Sequence, residues 1–271
     1  MKQHVESREY KVMLRKERFT GLEADLLNRA NDFWKAFNKL VREIVFDTDG
    51  CLNKIETQRL VRFYDGSDYS LWKNDYVFRE RIDLNANERE VTLKFRHPDR
   101  YISQDRDMSA ANVGNGKQKF EEDIKLPFLK LYSFSTKQPI SDSKFLNKMD
   151  DPGELFPDLK KRLKSYQRDE SIHIVRGFTA KEFVITGADF QIRNSPEVKA
   201  ECALIVWYKD SREEDGPVVV EFSFKYKGKG EEFDGETAKR AYDVFVRLKD
   251  ELAYWVDPEG LTKTAYVYTR A

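Results

Sequence analysis

Two short runs place basic residues at every second position. In "VFRER", residues 77–81, Arg79 and Arg81 share a face, and in "VTLKFR", residues 91–96, Lys94 and Arg96 do so beside Thr92. A period of two is what a β-strand gives, since successive side chains point to opposite faces. The opposite faces of these runs carry Phe78, Glu80 and Ile82, and Val91, Leu93 and Phe95. The same test on other runs collects carboxylates as well. Ser7, Glu9 and Lys11 share a face, as do Lys119, Glu121 and Asp123, and Glu221, Ser223 and Lys225, while Glu201 lies opposite Cys202, Leu204 and Val206. Grouped guanidinium and ammonium groups suit a chain of phosphates, because the guanidinium fork takes two phosphate oxygens and the ammonium supplies a point charge. Carboxylates among them suit Mg²⁺ or Mn²⁺, hard ions that take oxygen ligands from protein, water and phosphate.

Elements must bring these runs together. A first strand is predicted in "VESREYKVML", followed by strands over 58–65, 76–83, 89–96, 118–126, 172–177, 180–192, 198–208 and 217–227, and a last one in "TKTAYVY", 262–268. Apolar residues at helical spacing predict helices in "FTGLEADLLNRANDFWKAFNKLVREI" and in "DGETAKRAYDVFVRLKDELAYWV", 234–256. Residues 98–117 read as loop, and 127–170 are punctuated by Pro127, Pro139, Pro152 and Pro157, with a helix only in "LFPDLKKRLKSY". Eight or more antiparallel strands with a few helices predict an α+β fold.

An open sheet would leave the charged faces to solvent, with ion pairs between strands. A closed barrel would instead put the apolar faces outside, under the helices, and the charged faces around a lumen. Such a lumen is costly unless water, counter-ions or a ligand fill it. At least six strands segregate their charge in this way, which favours the lumen. Arg59 and Arg62 fall on opposite strand faces, so at most one of them reaches it, and Arg59 is the added candidate.

Composition narrows the function classes. The 271 residues include 48 basic and 48 acidic ones, so no overall field draws the chain to nucleic acid or an anionic membrane. Cys51 and Cys202 make neither a disulfide framework nor a metal-binding spacing, which points to a reducing compartment. His4, His97 and His173 leave little material for a histidine metal site or a Ser/His/Asp triad. The start "MKQHVESREY" has no apolar signal core, and no apolar run approaches the roughly 18 residues of a membrane span. A cytoplasmic protein without membrane attachment is the expectation.

In order along the chain, the charged runs resemble the motifs of the CYTH, or triphosphate tunnel metalloenzyme, superfamily. This superfamily includes class IV adenylyl cyclases, thiamine triphosphatases and inorganic triphosphatases. Its opening Glu-x-Glu-x-Lys strand is matched by "SREYK", 7–11, and its aromatic–Asp–Thr turn and Arg-x-Arg strand by "RFYDGSDYSLWKNDYVFRER", 62–81. Its Thr-Leu-Lys strand is matched by "VTLKFR", its basic-x-Glu-x-Glu strand by "KFEED", 119–123, its late Glu-x-Glu strand by "EFS", 221–223, and its final lysine by Lys263.

The resemblance implies a single domain over 1–271, a closed eight-stranded antiparallel barrel with a polar lumen and flanking helices, with 98–117 and 127–170 as insertions. It implies hydrolysis of a triphosphate with Mg²⁺ or Mn²⁺. Phosphate would be held by Lys11, Arg79, Arg81, Lys94, Arg96, Lys119, Lys225 and Lys263, with Arg176 and Lys181 of "VRGFTAKEF" as further cations. Glu9, Glu121, Asp123, Glu201 and Glu221 would bind metal, Glu9 and Glu221 also serving catalysis by orienting the attacking water. The ligand implied is a small-molecule triphosphate or polyphosphate.

Ser7 and Ser223 depart from the pattern, each standing where the family carries a glutamate, and Ala203, Ile205 and Trp207 follow Glu201 on its face. Serine is neutral and a poor ligand for Mg²⁺, so the cationic half of the pattern is better kept than the acidic half. That imbalance keeps a second reading open, a polyphosphate- or nucleotide-binding sensor or scaffold without catalysis. Tyr64 and Asp65 match the family turn, but "FYDGSD" is also ordinary turn chemistry, and His97 reads as a surface residue.

Overall fold

The computed structural model describes residues 4–271 apart from 22, 113, 165, 211, 212 and 229–232. Among these, nine strands are found: β1 (Ser7–Met13), β2 (Asp47–Gly66), β3 (Tyr76–Asp83), β4 (Arg89–His97), β5 (Lys117–Lys125), β6 (Leu129–Pro139), β7 (Ile172–Asn194), β8 (Glu197–Lys209) and β9 (Val219–Lys227). They are hydrogen-bonded in the order β1-β5-β6-β4-β3-β2-β7-β8-β9, and β9 pairs back onto β1, so the sheet closes. The helices are α1 (Glu23–Val41), α2 (Ser70–Lys73), α3 (Arg100–Gln104), α4 (Asp150–Leu155), α5 (Leu159–Arg162), α6 (Gly235–Glu251) and α7 (Lys263–Thr269). None of them is long and apolar enough to cross a membrane.

Several expectations need correction. The sheet has nine strands rather than eight and is not wholly antiparallel, because β1 runs parallel to β5 with Glu9 opposite Asp123. The ninth strand comes from the segment expected to be decoration: β6 pairs with both β4 and β5 and completes the wall. Residues 262–268 form a helix rather than a strand. Thr262 caps it by accepting from the Ala265 amide at 3.4 Å, and Thr264, Val267 and Tyr268 bury at helical i, i+3, i+4 spacing. The two strands expected at 172–177 and 180–192 are one, β7, interrupted where Arg176 and Gly177 take φ of 53° and 62°.

The outer face is apolar, as the alternation requires, and two layers cover it. Over β1, β7, β8 and β9 lie α1 and α6, with Phe33 and Phe37 of α1 packed onto Phe222 and Phe190. Each such side chain contributes on the order of 1.5–3 kcal/mol by leaving water. Over β3, β4, β5 and β6 lie Leu146, Met149, Phe156, Leu159 and Leu163, so residues 146–163 form the second cover. A third cluster lies inside the sheet, where Val61, Phe63, Trp207 and Val219 meet Val267 and Tyr268 of α7. It fills one part of the lumen with apolar side chains and leaves the remainder to the charged ones.

Candidate phosphate-binding tunnel

The remaining lumen is a cavity of about 370 Å³ whose lining includes ten basic side chains and four carboxylates. From β3 come Arg79 and Arg81, from β4 Lys94 and Arg96, from β1 Glu9 and Lys11, from β5 Lys119, Glu121 and Asp123, from β9 Glu221 and from α7 Lys263. The alternation is what aims them inward, since their neighbours Phe78, Leu93, Phe95, Phe120 and Phe222 are buried in the outer layers. Lys117, Lys125 and Lys137 line the cavity too. The first two continue the alternation of β5 and could have been found by extending it. Lys137 was hidden because its segment did not read as a strand.

Each cavity carboxylate already holds an ammonium. Lys11 Nζ lies 3.0 Å from Glu9 and 2.8 Å from Asp123, Lys119 2.6 Å from Glu121, and Lys263 2.7 Å from Glu221. Ser7 donates to Glu121 at 2.8 Å. Burial disfavours ionisation of Asp123, but Lys11, Lys94 and Arg96 outweigh it and hold this carboxyl well below the usual range. Glu9 is likewise held low, Lys11 overcoming burial. Lys11 in turn is held above the ordinary lysine value, because Asp123 and Glu9 overcome the burial that opposes its charge.

The β3–β4 side differs. Arg79 and Lys94 make no ion pair among the described residues, and Nε of Arg79 and of Arg81 are buried without a hydrogen-bond partner. Burial and the nearby Arg81 disfavour the Arg79 charge, and burial with Arg96 pushes the Lys94 amine down to about 7. Arg81 hangs between Glu90 at 3.7 Å and Glu182 at 3.9 Å. Glu182, which alternation had not singled out, is fully buried on β7. It accepts from Trp207 Nε1 at 2.7 Å and pairs with Arg59, which does reach the lumen side. Arg62 turns outward to Glu80 at 3.5 Å, beside Tyr64 and Arg89. Buried ion pairs on the outer face, such as Glu80 and the Arg8–Glu122 pair at 2.8 Å, carry no signal in an alternation that assumes an apolar exterior.

Four expected site residues lie elsewhere. Arg176 is exposed at the break in β7, its Nε donating to the Ala271 carbonyl at 2.6 Å. Lys181 has the opposite strand parity to Glu182 and lies over the outward-facing Phe183 ring. Lys225 stands opposite Glu9 across β1 and β9, but its ammonium turns to Glu201 at 3.7 Å. That pair, with Lys199 and Lys227, lines a separate shallow hollow, and the Glu201 side chain is 71% exposed. Asp65 is structural: it accepts from the Gly66, Leu71 and Trp72 amides and from Tyr268, which fastens α7 to the end of β2. His97 stacks on Phe95 and accepts from the Asp99 amide.

Among the described residues no three carboxylates, imidazoles or thiolates converge as a ready-made metal site. Glu9 and Asp123 nevertheless face each other across the parallel pair and share one ammonium. Two carboxylates suffice for Mg²⁺ when phosphate and water complete its shell. The donor set therefore fits a divalent cation carried in by phosphate better than a resident ion. The cavity shares Arg81, Lys117 and Lys137 with a wider hollow of about 940 Å³. Its rim is built by the β3–β4 turn, by Gly114 and Asn115, and by residues 138–142, so both expected insertions shape the mouth.

No family model and no curated protein matches the chain. Several solved structures are similar to it. One is a putative adenylyl cyclase from Hippeastrum with a dominant triphosphatase activity, at 10% identity and a TM-score of 0.43, covering 97% of this chain and 95% of that one. Others are putative adenylate cyclases from Vibrio parahaemolyticus, at 10% identity, TM-score 0.36, with 96% and 95% covered, and from Bacillus halodurans, at 13% identity, TM-score 0.35, with 91% and 92% covered. At these values the reading of the site rests on its own residues.

Proposed function

We propose that the lumen binds the phosphate chain of a small-molecule triphosphate and hydrolyses it with Mg²⁺ or Mn²⁺ brought in by that chain, as in the triphosphate tunnel superfamily. The observation that carries this reading is the excess of ten basic groups over four carboxylates in one cavity, with Arg79 and Lys94 in no ion pair among the described residues. A phosphate chain supplies the missing negative charge and accepts from the free guanidinium N–H groups. Phosphoryl transfer asks little more than positioning and charge neutralisation. Arg79, Arg81, Lys94 and Arg96 would grip the phosphates, while Glu9 and Asp123 would hold the cation and Glu221 would orient water. We place this activity in the cytoplasm, where the free thiols of Cys51 and Cys202 stay reduced.

The test is phosphate release from inorganic triphosphate and from ATP, with Mg²⁺, Mn²⁺ or EDTA, alongside thermal-shift titration of the same ligands. Metal-dependent turnover that Glu9→Gln removes supports hydrolysis. The engagement of all four carboxylates by lysines, together with Ser7 and Ser223, favours a second reading, binding without turnover. Stabilisation by triphosphate with no phosphate release would select that reading, and neither effect would sink both.

A further inference from the structure

Lys11 occupies an unusual position. Its ammonium sits between two carboxylates that are cross-strand neighbours on the parallel β1–β5 pair, at 3.0 Å from Glu9 and 2.8 Å from Asp123. Around it in the same cavity stand Lys94, Arg96 and Arg79 from β3 and β4 and Lys263 from α7, and Arg96 approaches the other Asp123 oxygen at 3.6 Å. We propose that Lys11 is an exchangeable internal counter-ion: it bridges Glu9 and Asp123 while the tunnel is empty, and cedes its place to a divalent cation when its ammonium turns to an arriving phosphate chain. This rests on the reading of the cavity as a triphosphate site.

The electrostatics make the two ligands depend on each other. A phosphate chain that draws Lys11 away leaves Glu9 and Asp123 facing each other and the phosphate, three like-charged groups in a partly dehydrated lumen. A divalent cation that entered alone would leave the Lys11 ammonium without an anion beside Lys94 and Arg96, and an uncompensated buried charge is costly. Each ligand therefore completes the other's site, and linkage makes the effect reciprocal. Arg79 and Lys94 supply the independent sign that an anion belongs opposite Lys11, since neither makes an ion pair among the described residues and Arg79 Nε is buried without a partner.

The experiment is Mn²⁺ binding to the full chain, read by the loss of the free-ion signal in electron paramagnetic resonance, alone and with inorganic triphosphate. Wild type should bind Mn²⁺ at least about tenfold more tightly when triphosphate is present than the metal–triphosphate complex in buffer explains. Lys11→Gln should bind Mn²⁺ without triphosphate and lose most of the enhancement, whereas Lys11→Arg, which keeps the counter-ion, should exclude free Mn²⁺ as wild type does. Equal Mn²⁺ affinity of wild type with and without triphosphate would overturn the proposal. So would a folded Lys11→Gln that still ignores Mn²⁺, or a Lys11→Arg that takes it up. If wild type binds no triphosphate under any condition, the ligand reading fails, and the Mn²⁺ titrations of the two variants still decide the role of Lys11.

Discussion

The two sides of the lumen carry the same kinds of side chain in opposite states. On β1, β5, β9 and α7, every cavity carboxylate holds an ammonium at 3.0 Å or less, with Lys11 serving both Glu9 and Asp123, so the carboxylates of that side are already paired. On β3 and β4, Arg79 and Lys94 face the cavity without an ion pair among the described residues, and burial works against both charges. A side whose carboxylates are already paired gains little from an anion. A side that bears unrelieved desolvation gains a great deal, because the anion satisfies donors the fold leaves open. Affinity should therefore concentrate on β3–β4, and the paired side should govern stability and the metal.

The largest effect tests where the charged side is restrained. Glu182 is fully buried, pairs with Arg59 and sits 3.9 Å from Arg81. Burial opposes the charge of its carboxyl, and Arg59, Arg81 and Lys263 outweigh that and keep it ionised. Glu182→Gln keeps an acceptor for Trp207 but strips the charge, leaving Arg59 without its carboxylate and Arg81 with Glu90 alone. A loss of about 3–5 kcal/mol is expected, seen as a lower urea midpoint. An unchanged midpoint would mean that water, not Glu182, screens these arginines.

A smaller effect separates binding from stability. Arg79→Met should weaken inorganic triphosphate binding roughly 100-fold, the loss of about 2–3 kcal/mol of charge-assisted hydrogen bonding. It should leave the melting temperature of the empty protein level or raised, because the removed charge was opposed by burial and by Arg81. Lys263→Met should do the reverse. It abandons Glu221, whose side chain is only 3% exposed, and should cost stability more than affinity. Calorimetric titration and thermal melts of the two variants side by side decide the matter, and matching changes in both would erase the distinction between the two sides.

How much of this was legible depended on which physical signal each residue carried. Alternation found Arg79, Arg81, Lys94, Arg96, Glu9, Lys11, Glu121 and Asp123, because a strand with an apolar exterior leaves only one face for charge. It missed Lys137 because prolines at 127 and 139 hid β6, although Pro139 only ends that strand. It misread 262–268, where "TKTAYVY" alternates well enough to pass for a strand and only Thr262 marks a helix start. It could not see that Lys225 would turn to Glu201, since parity fixes the face and not the partner. The parallel join of β1 and β5, which sets Glu9 beside Asp123, is a property of closure that no local run encodes.

The mildest test uses pH on the unpaired side. The Lys94 amine, at about 7 in the folded chain against 10.5 for free lysine, is charged in both folded and unfolded states well below pH 7, where the cost of burying the charge is full. Between those values the folded chain binds fewer protons than the unfolded one, so this group makes the empty protein more stable as pH rises. A phosphate chain favours the charged amine, so affinity should fall above about pH 7, by up to about tenfold per pH unit, and binding should take up a proton. Asp123, Glu121, Lys11 and Arg96 surround the amine, and of these Asp123 is held ionised and Lys11 charged far from neutral pH. Lys94→Met should thus flatten the part of the profile that the ionisation of triphosphate itself does not explain. Titrations in two buffers of different ionisation enthalpy would show proton uptake in wild type and its loss in the variant. Parallel profiles for the two proteins would mean that Lys94 stays charged throughout, and that the β3–β4 side already has a counter-ion in solution.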